Sequence, residues 1–342
     1  MNRLHYYLIT QRKRRQHQPK TAGFTLIEIL VALIIAALII TPLLGFMLNI
    51  LTTDRREQAK ASTEQELQAA LDYITRDLEQ SVYIYDAKGI GNIKNQLPTA
   101  PADMAWEPVL VFWKRQIIPD IIPIGSGTNC ASSPGACDDA FVYSLVSYFL
   151  TKKTNCSADT WSCTAQIRRF ETRGAAKDLD GDTATGETVD PGFNSFLSLL
   201  NQQPGSSVPG DNLFEQRMNS WQKDTGDYLR NSQVLIDYID QTTSAVPAVT
   251  CSNETETNNA GNTVTRWEEV PASTVNTDFQ TESFVACVDP SRTTAKVSLR
   301  GNALARIKPK NNPPTYSEDD SVYFPTASIQ VQGRGFVEDE EE

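Results

Sequence analysis

The sequence predicts an α+β protein. One long N-terminal helix, apolar in its first half, packs on an antiparallel sheet that an inserted region interrupts. Three observations predict this. From Phe24 to Leu51 the only charged side chain is Glu28. Beyond that run, Leu67, Ala70, Leu71, Ile74 and Leu78 recur at helical spacing and give one apolar face. Short runs rich in β-branched and aromatic residues then alternate with Gly-, Pro-, Asn- and Ser-rich stretches.

The N-terminal segment is basic, then apolar. Residues 1–23 carry Arg3, Arg12, Lys13, Arg14, Arg15 and Lys20 and no acid. The whole chain has a net charge of −11, and removing those six cations leaves −17 for residues 24–342. So acidic a body is a poor electrostatic partner for nucleic acid and suits solubility outside the cytoplasm. The run Phe24–Leu51 makes a helix of roughly 42 Å, against a bilayer core of about 30 Å. The basic flank predicts a cytoplasmic N-terminus and an exported body.

An ordinary secretory signal requires a small-x-small cleavage site after its apolar core, and Thr41-Pro-Leu-Leu-Gly-Phe-Met47 offers none. A plain membrane anchor leaves Glu28 unexplained, because a carboxylate inside hydrocarbon is costly. Gly23-Phe24-Thr25-Leu26-Ile27-Glu28 resembles the cleavage motif of type IV pilins and pseudopilins. The resemblance implies a prepilin peptidase that cuts after Gly23 and methylates the new N-terminus at Phe24. It implies that the apolar helix is kept as the assembly core and that Glu28 is the assembly glutamate. The implied partners are that peptidase, other pilins or pseudopilins and an inner-membrane assembly platform. The implied place is the inner (plasma) membrane, crossed once. Once Phe24 is the N-terminus, its amine and Glu28 lie one helical turn apart, so they can pair within one chain or between neighbours. Many helices of this family carry a proline three residues beyond Pro42, where this chain has Gly45. A bend near Pro42–Gly45 is expected.

The organisation that follows is a basic leader at 1–23, a membrane and assembly helix at 24–51 and an amphipathic extension at 52–80. An exported domain at 81–337 and an acidic tail at 338–342 complete the chain. Strands are expected at Ser81–Tyr85, Val109–Lys114, Phe141–Leu150, Gln166–Glu171, Val234–Ile239, Val264–Val270, Phe284–Val288, Ala295–Arg300 and Val322–Phe324. Residues 174–233 interrupt that series with short helices expected at Phe193–Leu200 and Leu213–Trp221. The long basic leader, this insertion and the strand run from Ala295 resemble the pseudopilins of cyanobacterial hormogonium polysaccharide secretion. That resemblance implies a minor pseudopilin supporting polysaccharide export. Type II secretion tip pseudopilins and minor type IV pilins are close alternatives. A membrane-anchored carbohydrate-binding adhesin is the alternative of another class.

Six cysteines, Cys130, Cys137, Cys156, Cys163, Cys251 and Cys287, all lie in the exported part and fit an oxidising compartment. Their number allows fifteen pairings. Cys130–Cys137 and Cys156–Cys163 share one spacing, which leaves Cys251–Cys287. Asp178, Asp180 and Asp182, with Glu187 and Asp190 following, make calcium a candidate ligand. The EF-hand template fails at Thr183 and Val189, which favours an ordinary acidic loop. Tyr83, Tyr85, Trp106, Phe112 and Trp113 read as core aromatics rather than a sugar platform. No catalysis is expected. The only histidines, His5 and His17, lie in the leader, and no phosphate-cradling loop, GxSxG or HExxH motif is present.

Overall fold

The computed structural model describes residues 23–101, 103–124, 130, 135–153, 161–175, 190–205, 207–257, 261, 263–272, 279–308 and 312–335. The chain divides into two units, Met1–Asp54 and Arg55–Glu342. A single helix, α1 (Leu26–Glu79), begins in the first and ends in the second. Pro42 lies inside it.

In the second unit α1 buries Ala59, Thr63, Leu67, Ala70, Leu71, Ile74, Asp77 and Leu78. These positions fall three or four apart and share one face. That face meets a five-stranded antiparallel sheet in chain order: β1 (Ser81–Ile84), β2 (Met104–Pro123), β3 (Cys137–Lys153), β4 (Ala165–Arg173) and β5 (Gln233–Ile239). Helix α2 (Ala87–Ile93) follows β1, and helix α3 (Leu213–Asn219) precedes β5.

Both faces of this sheet are covered. Lys114, Tyr148 and Arg169 point to α1, where all three reach Asp77. On the opposite face, Trp113 packs on Phe193, Phe196 and Trp221 at centroid distances of 5.8, 5.0 and 5.6 Å. Phe170 meets Tyr228 at 5.0 Å on the same side. The described part of the 174–233 segment therefore forms a second cover for the sheet. This explains why Val109-Leu-Val-Phe-Trp113 is apolar without alternation, since side chains on both faces of the strand are buried. Fully burying each large side chain contributes about 1.5–3 kcal/mol.

A four-stranded antiparallel sheet follows, in the order β11-β10-β9-β8. Its strands are β8 (Glu268–Val270), β9 (Phe284–Asp289), β10 (Thr294–Arg300) and β11 (Thr326–Gln332), and β6 (Thr255–Thr257) and β7 (Thr263–Thr265) form a separate ribbon. The two larger sheets are clasped where β5 and β10 end. Ile239 bridges Gly301, Asn302 N–H donates to the Tyr238 carbonyl at 2.7 Å, and Arg300 pairs with the fully buried Asp240 at 3.0 Å. Past β11, Gly335 N–H donates to the Ser81 carbonyl at 3.0 Å. A Cβ on Gly333 would lie 2.5 Å from that same oxygen, so only glycine allows this approach.

The expected single strand Val264–Val270 is two strands. Arg266, between them, turns to Asp289 at 2.8 Å and Glu254 at 3.2 Å, and the pairing changes partner from β6 to β9. The expected strand Val322–Phe324 is a 3-10 turn at Ser321–Tyr323, and the edge strand runs instead over Thr326–Gln332. Tertiary pairing with β10 selected the more polar segment. The helix expected at Phe193–Leu200 is a 3-10 turn at Phe196–Leu199, and that at Leu213–Trp221 ends at Asn219.

The helix is locked to the sheet by ionised groups. Asp77 accepts from Lys114 at 3.1 Å, Arg169 at 2.7 Å and Tyr148 Oη at 2.7 Å. Glu171 joins Lys114 at 3.2 Å and Arg169 at 2.7 Å. Burial pushes both carboxyls up, but Arg169 and Lys114 outweigh it and hold both below their ordinary values. Their stabilisation is present above the unfolded values, near pH 4, and is lost as pH falls through the lower folded ones. Asp77→Ala removes the helix's bonds to Lys114, Arg169 and Tyr148, leaves both cations to Glu171 alone, and is expected to cost about 1.5–3 kcal/mol. Thermal unfolding of the detergent-solubilised chain, followed by circular dichroism, measures this. A loss below about 1 kcal/mol would show that Asp77 does not lock the helix.

Candidate functional site

The processing motif lies where α1 starts. Gly23, Phe24 and Thr25 precede the helix and are exposed. Thr25 caps it: Glu28 N–H donates to the Thr25 carbonyl at 3.1 Å and to Thr25 Oγ1 at 3.3 Å. Thr25-x-x-Glu28 before an apolar run is the spacing of a capping box. Glu28 in the first turn also suits the positive end of the helix dipole. A Cβ at Gly23 would meet nothing within 4 Å, so no packing demands glycine there. Phe24 stands two residues before the first helical position, so a helical-turn stack of Phe24 over Glu28 is not built in the uncleaved chain.

The apolar half of α1 has no protein cover. Phe24 is 77% exposed and Leu26 85%, and every large apolar residue from Phe24 to Leu51 is exposed. By length and composition the helix is apolar enough to cross a membrane. Such a surface is stable against lipid or other apolar helices rather than water. Thr41 Oγ1 donates to the Ala37 carbonyl at 2.8 Å, one residue before Pro42 removes a backbone donor.

Other expected site residues are distributed through the fold. Asp178, Asp180, Asp182 and Glu187 lie outside the described residues. Asp190 is buried and accepts from Thr172 Oγ1 at 2.8 Å and Gly192 N–H at 3.1 Å. Among the described residues no group of acidic, histidine or cysteine side chains is placed to hold a metal. Disulfides join Cys130 to Cys137 and Cys251 to Cys287. Cys163 is buried, and Cys156 lies outside the described residues. Tyr83, Tyr85, Phe112 and Trp113 are core side chains, and the half-buried Trp106 stacks on Phe149 at 4.2 Å.

Two features escaped sequence reasoning. Asp77 was readable as an acid three residues beyond Ile74 on the apolar stripe. The second is a carboxyl pair between α2 and β8. Asp86 caps α2, accepting from Gly89 N–H at 2.7 Å, and its neighbour Glu268 is paired with Lys88. Burial pushes the Asp86 carboxyl up to about 7, and the Glu268 carboxylate adds to the rise. Its signal was weak, since only Asp86 shows a local capping pattern.

Because the folded value lies above the unfolded one, protonating Asp86 stabilises the fold. That contribution is complete below about pH 4 and lost as pH rises through 7. Asp86→Asn keeps the cap and removes the charge. Its Tm advantage over the parent is expected to be larger at pH 8 than at pH 5. An advantage independent of pH would show that Asp86 does not titrate in that window.

Residues 18–44 match the family model described as the prokaryotic N-terminal methylation motif. The matched segment contains Gly23, Phe24 and Glu28, and it supports a type IV pilin-like protein processed by prepilin peptidase. No curated protein and no solved structure matches the chain significantly.

Proposed function

We propose that this chain is a minor pseudopilin of a type IV pilus-like or type II secretion-like filament that supports polysaccharide export. It enters the inner membrane with residues 1–23 cytoplasmic and its body exported. Prepilin peptidase cuts after Gly23 and methylates Phe24, and an inner-membrane platform assembles the product with other pilins or pseudopilins. The observation that carries this reading is Gly23-Phe24-Thr25-Leu26-Ile27-Glu28 opening an uncovered apolar helix. The long basic leader and the inserted second cover of the sheet support the assignment to a polysaccharide-exporting system by resemblance. The reading assigns the protein no catalytic step.

The chemistry of assembly follows from one charge pair. Cleavage creates an amine at Phe24, and Glu28 lies at nearly the same depth of the apolar segment. Each ion alone is disfavoured in hydrocarbon, so pairing between neighbouring helices sets their axial register.

Mass spectrometry of the membrane-extracted protein is expected to find N-methylated Phe24 as the first residue. An intact Met1 terminus in cells with active prepilin peptidase would sink the reading. Glu28→Ala is expected to be cleaved normally but to enter filaments at a small fraction of the parent's level. Equal incorporation would remove the assembly role of Glu28. A deletion strain is expected to lose exported polysaccharide. Normal polysaccharide with lost protein secretion would overturn the cargo and keep the pseudopilin.

A further inference from the structure

The two larger sheets of the exported domain end in four edges, and three are blunted. β1 has four residues, and the backbone of Arg334 and Gly335 donates to Glu79 and Ser81 beside it. β5 shifts register twice against β4 and carries Tyr238 at a positive φ of 58°. β8 has three residues, two of them Glu268 and Glu269. Short length, irregularity and charge are the usual guards against unwanted strand pairing. β11 has none of them. It runs seven residues, Thr-Ala-Ser-Ile-Gln-Val-Gln, in unbroken register with β10 and carries no charge, proline or glycine. Among the described residues, nothing bonds to the backbone of its other edge.

We propose that β11 pairs with β11 of a second copy of this chain, antiparallel and centred on Ile329. The strand is self-complementary about that centre. Ile329 faces the partner's Ile329, and Ala327 faces the partner's Val331. Ser328 faces the partner's Gln330, and Thr326 faces the partner's Gln332. Apolar residues meet apolar ones on the inner side, where Ala327 and Ile329 are only half-buried at the rim of the core. Neutral polar residues meet on the outer side, where Thr326, Ser328, Gln330 and Gln332 are exposed. No like charges oppose each other.

Charge complementarity appears just past the pairing. A groove open to solvent lies between α1 and the start of β11, lined by Ala61, Glu64, Gln65, Gln68 and Pro325. In this register the partner's Arg334 arrives at that end, where Glu64 is 52% exposed and lies 3.9 Å from Lys60 of its own helix, so Arg334 would be its second cation. Joining the two β11 edges makes one eight-stranded sheet and leaves neither long edge open. The contact is two-fold and closes on itself. It is therefore distinct from the head-to-tail packing of apolar helices in a filament.

The test uses the intact chain in detergent, as two differently tagged preparations. Ser328→Cys in one and Gln330→Cys in the other are directly opposite, whereas Ser328→Cys against itself is diagonal and about 7–8 Å apart. Mild oxidation is expected to cross-link the mixed pair several-fold more than either variant with itself. Excess untagged parent chain is expected to dilute the cross-link, and adding Gln330→Lys to the Ser328→Cys chain and Ser328→Lys to the Gln330→Cys chain, which sets two lysines opposite each other, is expected to weaken it several-fold. These exposed lysines leave the fold intact, which an unchanged Tm checks. Absence of the mixed cross-link, equal cross-linking of all combinations, or a cross-link left unchanged by the opposed lysines would each overturn the proposal.

Discussion

Asp77 is the constraint on which the exported domain depends. One buried carboxylate on α1 receives donors from β2, β3 and β4 at once. Three strands and the helix therefore share a single register, because no sliding of the helix can keep all three bonds. Desolvation of the carboxylate is large, and two cations offset it. Glu171 closes the set by pairing with the same two cations. Apolar packing of Leu67, Leu71, Ile74 and Leu78 supplies adhesion without fixing direction. The ionic cluster supplies the direction.

That cluster also explains the layered design. With α1 occupying one face, the other face of the five-stranded sheet needs its own cover. The segment between β4 and β5 provides it through Phe193, Phe196, Trp221 and Tyr228. Trp113 sits at the centre of this second layer, with its Nε1 donating to Tyr85 Oη at 3.0 Å and Tyr85 Oη donating to the Met218 carbonyl at 3.1 Å. The aromatics are thus spent on packing, which removes the surface that a sugar-binding platform would use.

The helix that ends at Glu79 begins at Leu26 with an unpartnered apolar surface. Its start needs little from the rest of the molecule. Thr25 caps the first turn, Glu28 lies where the helix dipole favours an anion, and the side chains beyond are chosen for lipid or for other helices. A motif of this kind is local chemistry read by an enzyme and by neighbouring chains, so no tertiary contact is required to define it.

This locality decides what could be read in advance. The apolar run, the motif Gly23–Glu28 and the amphipathic stripe of Leu67–Leu78 are periodic or contiguous, and sequence alone determined them. Most strands of the two larger sheets were legible for the same reason. Strand pairing is not local, and there the expectations failed. Arg266 splits Val264–Val270 because Asp289 lies on another strand. Thr326–Gln332 becomes a strand, and Val322–Phe324 does not, because β10 offers it a continuous ladder. The position of Asp77 on the apolar stripe was legible, but its partners Lys114 and Arg169, and Glu171 beside them, were not, for a related reason. A charged residue reads as solvated until the fold brings its partners within 3 Å and removes the water, and only the tertiary structure does both.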